Sequence, residues 1–390
     1  MTLIVDTQAL EKALKSFEES DDFVTMDTEF IREDTYWPKL SLVQIAGQHS
    51  TVLIDPLSQQ LSLDPLFTFL KNDQILKVFH AGRQDLEIFY HLTGEVPQEI
   101  FDTQVAAMVC GYGEQVGYET LVSSILNRKL DKTQQYSPWL RRPLSARQLQ
   151  YARDDVIHLR KIYLHLMQEL KQQNRQDWIV KDLEVLKSLK TYQPDPEGMW
   201  MKLRLKNANP HYLARLKAIA ALREVEAIDK NVPRNRLLRD DIITELASHA
   251  PETLEAFLEI RGIHSSFINT PLATSILNAI KQANALAVED CPRLDAATPG
   301  RRPSSLHLDC LRLLLKSRAE QHKVAEKLIA TTKDLEQFLL LPEADPQHNL
   351  FQGWRYEIFG ADAWSLKEGK KSLVMTKRGI ALKEYESQPL

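Results

Sequence analysis

Hydrophobic and polar residues follow two different periods over the first hundred positions. Short β-branched and apolar runs occupy residues 2–6, 23–30, 40–46, 50–55, 75–80 and 99–103. Between them, apolar side chains recur every three or four positions over residues 7–20, 61–70 and 83–92. The first pattern is typical of strands and the second of helices. Only a short turn separates runs 40–46 and 50–55, so we expect an antiparallel pair within a mixed α/β sheet covered on both faces.

Beyond residue 103 the periodicity becomes helical. Helices are predicted at residues 104–110 and 119–127, and a long helix is predicted from Ser145 to about Gln173. Ser145 and Gln148 have the spacing of a capping box, which fixes the start of this long helix. Tyr151 and Asp155 lie four residues apart on it, so their side chains share one face.

Two stretches rich in turn-forming residues, 191–198 and 291–305, divide the rest of the chain. Helices are predicted between them at 212–229, 236–248 and 251–258, and after them at 306–326, 332–341 and 352–359, without any strand pattern. The run 216–223 is loosely repeated at 311–318, which indicates a duplicated helical domain. We therefore expect an α/β domain at 1–195, a helical domain at 208–291 and a divergent second copy at 302–375.

Length and composition restrict the class of protein. A chain of 390 residues has room for two or three domains, and 26% charged with 43% hydrophobic residues is typical of a globular protein. No stretch is long and apolar enough to span a membrane, and no basic leader is present, so we expect a cytoplasmic protein. The three cysteines, Cys110, Cys291 and Cys310, lack the spacing of a zinc site or a disulfide framework.

The charge is distributed unevenly. A net charge of -4 argues against a polyanionic partner, but residues 200–239 contain ten basic and three acidic residues. Such a stripe is what contacts to nucleic-acid phosphates need. The alternative is an ordinary solvated helical face.

Carboxylates mark three points in the first domain. Asp27 and Glu29 are two residues apart on one side of a strand, Asp85 opens a helix, and Asp155 follows Tyr151 by one turn. Taken singly, these residues have simpler explanations: a solvated strand end, a favourable helix terminus, or a surface ion pair of Asp155 with Arg153 or Arg160. Taken together, the four acids supply hard oxygen ligands. Such ligands suit Mg²⁺ or Mn²⁺ better than they suit zinc.

The three motifs, in this order, resemble the DEDD exonuclease superfamily in its tyrosine-bearing branch. The motifs are Asp27-Thr28-Glu29, the segment that ends at Asp85, and the Tyr-x-x-x-Asp pattern from Tyr151 to Asp155. The two helical repeats behind them look like a pair of HRDC domains. The resemblance implies a ribonuclease H-like mixed sheet of the DnaQ-like exonuclease type, followed by two all-α HRDC-like domains.

The same resemblance implies hydrolysis of the 3′-terminal phosphodiester with two divalent ions, Mg²⁺ or Mn²⁺. Asp27 is expected to bridge both ions, Glu29 and Asp155 to hold the one that activates water, and Asp85 to support the other. Tyr151 is expected to orient the attacking water as a neutral phenol. His158, three residues after Asp155, is interpreted as a structural or surface residue.

The implied activity is a metal-dependent 3′-to-5′ exoribonuclease that trims structured RNA, with transfer-RNA precursors as the expected substrate and a monomer as the expected state. Two alternatives remain open, a DNA exonuclease and a non-catalytic RNA-binding protein on a nuclease fold. A helicase is excluded because no GxxxxGK[ST] phosphate loop is present. The residues predicted to contact RNA, with core packing as the alternative for the aromatic ones, are Phe30, Tyr36, Trp37, Gln44, Arg141, Arg142, Arg215, Lys230, Arg234 and Arg236.

Overall fold

The computed structural model describes residues 2–131, 133–294, 303–377 and 379–384. The chain forms two compact units. The unit that carries the three acidic motifs, called the nuclease unit after the resemblance noted above, comprises Met1–Glu29, Ser41–Thr191 and Ala297–Leu390. The helical unit comprises Phe30–Leu40 and Tyr192–Ala296. Most of the expected second linker, residues 295–302, lies outside the described residues.

A mixed sheet is the framework of the nuclease unit. Among the described residues it has six strands in the order β1-β4-β3-β2-β5-β6. The predicted antiparallel pair of β3 and β4 is confirmed, while β1 pairs parallel to β4 and β5 lies parallel to both β2 and β6. The strands are β1 (Thr2–Ile4), β2 (Phe23–Ile31), β3 (Lys39–Ala46), β4 (Thr51–Ile54), β5 (Leu76–Phe79) and β6 (Ile100–Asp102).

Strand β2 is longer than its sequence pattern indicated. It continues one residue beyond the predicted run 23–30, to Ile31, so Asp27 and Glu29 lie within the strand and not at a solvated strand end. The alternation of side chains still places both carboxylates on one face of the sheet.

Helices pack around this sheet. They are α1 (Thr7–Ser20), α2 (Asp64–Leu70), α3 (Arg83–Thr93), α4 (Thr103–Cys110), α5 (Tyr118–Leu126), α6 (Ala146–Gln172) and α7 (Val180–Lys187). The capping box of Ser145 and Gln148 at the start of α6 is confirmed. The buried side of α6 includes Ala152, Val156 and Leu159, so this helix is held by the core and presents its other sides to ligands.

The C-terminal residues of the nuclease unit form α13 (Ser305–His322), α14 (Glu326–Ile329), α15 (Thr332–Leu340), α16 (Gly353–Arg355), α17 (Ala361–Lys367), β7 (Lys371–Thr376) and β8 (Gly379–Glu384). They share one hydrophobic core with α4 and α6. Trp178 stacks on Trp354 with ring centroids 4.3 Å apart, and the Ala325 N–H donates to the Met108 carbonyl at 3.0 Å.

The expectation of a second all-α domain needs two corrections here. Strands β7 and β8 pair as an antiparallel hairpin, which the lysine-rich alternation of the sequence did not reveal. The helices bury their apolar faces against the nuclease helices rather than around a separate core.

The helical unit has a core of its own, built by Trp200, Leu216, Ile243, Phe257 and Ile276 among others. Its helices are α8 (Pro210–Asp229), α9 (Arg234–Leu237), α10 (Asp240–His249), α11 (Ser265–Ile268) and α12 (Pro271–Ala285). The predicted helix 236–248 is therefore divided into α9 and α10, and the predicted helix 251–258 is a short 3-10 turn at Glu255–Glu259.

Two sequence expectations concern the whole chain. The three cysteines are free thiols, so no disulfide links them. In the part of the chain that the structure describes, no helix combines the length and apolar character needed to span a bilayer.

Candidate active site

Three of the four predicted acids converge in the nuclease unit. One carboxylate oxygen each of Asp27, Glu29 and Asp155 lies within 4.8 Å of the other two. Strand β2 supplies the first two side chains and helix α6 supplies the third. Among the described residues no lysine, arginine or histidine forms an ion pair with any of them. This is the donor set and spacing that a hard divalent cation requires.

Asp85 lies beside this group in the first turn of α3. Its side chain is 6% exposed, and its Oδ1 accepts the Thr28 hydroxyl at 2.5 Å. Thr28 sits between the two acids of β2, so the middle residue of the first motif orients the acid of the second. Asp85 is outside the group of three mutually close oxygens.

Burial and mutual repulsion raise the pKa of every acid in the cluster. Burial, then Asp155, raises the pKa of Asp27 to about 8, and burial, then Asp27, raises the pKa of Glu29 to about 10. The pKa of Asp155 rises to about 7 through burial, opposed by a hydrogen bond from Tyr151. Burial, then Asp27, places the pKa of Asp85 well above its ordinary value. The charged cluster is therefore unfavourable until a cation or protons compensate it.

Tyr151 stands beside Asp155, as the helical spacing predicts. Burial and the neighbouring Asp155 carboxylate raise the pKa of its phenol, so the hydroxyl stays protonated at neutral pH and can donate a hydrogen bond. The ring lies 6.0 Å from that of Trp139, a side chain only 1% exposed. Packing on Trp139 thus sets the position of the phenol.

A cavity of about 150 Å³ opens onto these groups and contains two residues that the sequence analysis missed. Its walls include Asp27, Tyr151 and Asp155, and also His80 and Tyr118. The ring nitrogens of His80 lie 3.0 Å from the hydroxyl oxygen of Thr103 and 3.1 Å from the carbonyl of Val116. The Tyr118 hydroxyl donates to the backbone carbonyl of Asp155, which ties α5 to the catalytic turn of α6.

Neither missed residue belongs to an acidic motif, so charge spacing could not reveal it. Only the positions of the two residues next to predicted elements could have pointed to them. His80 directly follows strand β5, just before the Asp85 helix, and Tyr118 opens a helix after Gly117. Each becomes informative only when the fold brings its element to the acids.

The simpler explanation of Asp155 as one half of a surface ion pair is not supported. Arg160 lies 3.5 Å from Asp21 and stacks on Phe23 instead, and Arg153 forms no ion pair with a described residue. His158 is 8% exposed and does not line the cavity that contains Asp27 and Asp155.

Several predicted RNA contacts are occupied inside the fold. Gln44 has no exposed surface, so the prediction that it contacts RNA is wrong. It is an interior residue of β3. Arg142 Nε and Nη2 donate to the Asp55 carboxylate at 2.6 and 2.7 Å, which ties the chain before α6 to the end of β4. Arg141 is exposed.

In the helical unit, Tyr36 is 7% exposed and its hydroxyl donates to Glu224 at 2.5 Å. Phe30 and Trp37 are half-buried, and the Trp37 backbone N–H donates to Asn231 at 3.0 Å. The alternative of core packing therefore describes Tyr36 better than base stacking does.

The basic stripe of residues 200–239 is largely neutralised within the helical unit. Lys230 pairs with Glu226 and Arg234 with Glu224, both inside the stripe. Arg236 pairs with Asp34, and further pairs join the stripe to Glu197, Asp240, Asp241 and Glu245. Arg215 instead donates to the Ala247 carbonyl at 2.7 Å and to Asn284 at 2.6 Å. The sequence count overstated the free positive charge because five of the seven pairing acids lie outside the counted window.

Comparison with known proteins identifies two domains in the chain. Residues 1–171 match a family model described as 3′-5′ exonuclease, and residues 212–280 match the HRDC domain. The mixed sheet, its three carboxylate motifs and the tyrosine define the class as a 3′-5′ exonuclease of the DEDD type.

Curated relatives then specify the family. Ribonuclease D of Gluconacetobacter diazotrophicus is 45% identical over 90% of this chain and 89% of its own length. Ribonuclease D of Zymomonas mobilis is 42% identical over 99% of both chains. A crystal structure of Escherichia coli RNase D, described as an exoribonuclease involved in structured RNA processing, superimposes with a TM-score of 0.79 and 27% identity over 94% of this chain and 98% of its own.

The chain belongs to the ribonuclease D family, and it is a 3′-5′ exoribonuclease. This resolves the alternative of a non-catalytic binding protein in favour of an enzyme. Of the two HRDC domains expected from the sequence, the family comparison finds the first, at residues 212–280, and the second is not confirmed.

Proposed function

We propose that this enzyme uses two divalent metal ions to trim the 3′ ends of structured RNA, including transfer-RNA precursors, and releases nucleoside 5′-monophosphates. The observation that carries the proposal is the group formed by Asp27, Glu29 and Asp155, whose oxygens lie within 4.8 Å of one another. No basic side chain in the described ranges compensates their charge. The three side chains are half-buried, and acids with a purely structural role are normally paired or hydrogen-bonded when they are partly removed from water.

The donor set fits Mg²⁺ or Mn²⁺. Asp27, Glu29 and Asp155 would hold the ions, with Asp85 supporting one of them from α3. When bound, two such ions lower the pKa of water and stabilise the charge that develops on the phosphate and the departing 3′-oxygen. The raised pKa values of the acids follow naturally, since they describe the cluster without that positive charge.

The protein's own groups position the substrate and the water. The protonated Tyr151 hydroxyl donates a hydrogen bond and so orients the attacking oxygen without removing its proton. Thr28 holds Asp85 in one rotamer, and Tyr118 fixes the backbone of Asp155. The walls formed by His80 and Tyr118 restrict the 150 Å³ cavity to a chain end.

Structured RNA is the proposed substrate because the Escherichia coli relative is described as acting in structured RNA processing. The HRDC match supports a nucleic-acid-binding role for the helical unit. Exposed Arg141 remains a proposed contact to RNA in the nuclease unit, and Phe30 and Trp37 remain separate proposed stacking contacts in the helical unit. A cytoplasmic location and a monomeric state stay predictions.

A 3′-extended transfer-RNA precursor labelled at its 5′ end tests the proposal. Digestion with Mg²⁺ should give a ladder of products shortened one nucleotide at a time, and EDTA should abolish it. A matched DNA strand should be degraded more slowly, since an RNA-specific site can use the 2′-hydroxyl. Internal cleavage, indifference to EDTA, or faster digestion of the DNA would each refute a part of the proposal.

A further inference from the structure

A second cavity, of about 570 Å³, lies on the outer side of helix α6 and plays no part in the chemistry described above. Four cationic side chains line it: Arg128, Lys129, Arg153 and Lys161. Arg153 and Lys161 come from α6, and the other two follow the end of α5. We refer to it as the outer pocket.

The outer pocket carries uncompensated positive charge. Its four cations form no ion pair with any residue in the described ranges, unlike most cations of the 200–239 stripe. Two carboxylates also line it, but both are engaged nearby. Asp154 accepts from Gln150 Nε2 at 2.8 Å, and Asp131 accepts from the Thr133 N–H at 2.9 Å. The pocket therefore has an excess of two positive charges and favours an anion.

Two buried nitrogens in the wall lack partners. Arg153 Nε and His158 Nδ1 have no hydrogen-bond partner among the described residues, although both atoms are buried. His158 is 8% exposed, so its ring is held in the wall of the pocket rather than in solvent. A guanidinium Nε–H can only donate, and buried donors are almost always satisfied. An acceptor oxygen supplied by a ligand would satisfy it.

The chemistry of the wall selects a phosphate rather than a base. No aromatic side chain apart from the His158 imidazole lines the outer pocket, so it offers little surface for a base to stack on. Two arginines provide the forked donors that match phosphate oxygens.

Helix geometry separates this pocket from the catalytic cavity. Gln150, Asp154, Ile157 and Lys161 define one face of α6 at spacings of three and four residues. Asp155 is turned from that face by roughly 100°. A phosphate in the outer pocket is consequently not the scissile one.

We propose that the outer pocket binds a backbone phosphate of the RNA substrate at a point remote from the 3′ end. This proposal rests on the proposed function, since it assigns a second contact to the same RNA. It would hold the folded body of the RNA while the single-stranded end enters the catalytic cavity.

The test compares the double variant Arg153→Gln/Lys161→Gln, and the single variant Lys161→Gln, with wild type. Lys171→Gln is the matched control, because Lys171 is an exposed cation on the same helix and outside the pocket. Binding of the labelled transfer-RNA precursor is measured in EDTA over a range of salt concentrations. We expect the double variant to bind about ten-fold more weakly, with a salt slope about one smaller, and the control to match wild type.

Turnover identifies the source of the phosphate. In Mg²⁺, the ratio of kcat/KM for the precursor to kcat/KM for a dinucleotide, which is too short to reach both sites, should fall about ten-fold in the double variant. Inorganic phosphate is titrated separately by calorimetry. Phosphate binding that the variants abolish, with unchanged RNA affinity, would make this a free-phosphate site and overturn the proposal.

Equal RNA affinity of wild type and variants would also overturn it. Circular dichroism shows whether the double variant is folded. If the double variant is unfolded, the RNA affinity of the single variant Lys161→Gln, which changes only an exposed side chain, is compared with wild type instead. Because binding is measured in EDTA, a failure of the proposed nuclease activity would show as wild-type enzyme that binds RNA without shortening it, which leaves the pocket test readable.

Discussion

Two carboxylate sites of this chain differ in what surrounds them: Glu224 of the helical unit has cationic and hydrogen-bonding partners in the protein, whereas the acidic cluster of the nuclease unit has no cationic partner among the described residues. Glu224 is 1% exposed, lies 2.8 Å from Arg234 Nε, and accepts the Tyr36 hydroxyl at 2.5 Å. In the nuclease unit Asp27, Glu29 and Asp155 have mainly one another for neighbours. The charge of Glu224 is therefore compensated within the protein, whereas the charge of the acidic cluster is not.

The difference separates a structural role from a functional one. A paired buried charge specifies how elements pack, and here it fastens the segment carrying Tyr36 to helix α8. An unpaired cluster costs stability, and proteins keep such costs at sites that bind ligands. Substitutions in the two places should therefore have opposite consequences for stability and activity.

The largest effect is expected from Asp155→Asn. Turnover of a dinucleotide in Mg²⁺ should fall by about 10³-fold or more, because the ions lose a charged ligand. In EDTA the same variant should be at least as stable as wild type, since one repelling charge is removed. Asp154→Asn on the same helix is the matched control and should keep near wild-type turnover of the dinucleotide. A destabilised but active Asp155→Asn enzyme would reverse the assignment.

Glu224→Gln should have the opposite profile. Leaving Arg234 without its buried partner should cost about 3 kcal/mol of unfolding free energy. Amide hydrogen exchange read by mass spectrometry should show the loss in the helical unit, with dinucleotide turnover nearly unchanged. Glu226→Gln, which removes only the exposed pair with Lys230, should cost less than about 1 kcal/mol. Similar losses in the two variants would contradict the structural role of Glu224.

The two tyrosines offer a comparison with identical chemistry. Tyr151→Phe should slow turnover by about 10²-fold, because the donor that orients water is lost, with little change in stability. Tyr36→Phe should cost about 1 to 2 kcal/mol of stability, because Glu224 loses a buried donor, with little change in turnover. Melting temperatures and dinucleotide kinetics of both variants check the pair. An equal effect of both on turnover would show that the comparison between the units is wrong.

The smallest effect is expected for the pH dependence of the stability of the metal-free enzyme. In EDTA, folded Asp27 and Asp155 have pKa values of about 8 and about 7, above the unfolded value of about 4. The folded state then binds more protons, so the contribution of these two groups to stability is fully present below about pH 4 and is lost as pH rises towards 8. Mg²⁺ should flatten the curve, as should Asp155→Asn. Thermal melts between pH 5 and 8 measure it, and a wild-type curve that rises with pH would count against the account.

The sequence predicted the site better than its surroundings. Asp27, Glu29 and Asp155 could be recognised because strand and helix periods fix which residues share a face, and the capping box fixed the start of α6. The partner of Tyr36 could not be predicted, since Glu224 lies 188 positions away and the contact depends on the tertiary fold. The same reason explains the overstated basic stripe, which is partly neutralised by Asp34 and Glu197 from outside it.

The C-terminal segment shows a different limit. Its helices were expected as a second copy of the first helical domain, because the apolar spacing of residues 311–318 resembles that of 216–223. That spacing predicts a helix with one apolar face, but it does not indicate what covers the face. The structure covers it with the nuclease helices, and the hairpin of β7 and β8 completes the segment.

Calorimetric titration of Mn²⁺ into the metal-free enzyme tests the central claim most directly. The account predicts two ions bound to each wild-type chain, the same number in Glu224→Gln, and at most one in Asp155→Asn. A wild-type enzyme that binds no Mn²⁺, or an Asp155→Asn variant that binds as wild type does, would show that the converging acids do not form a metal site.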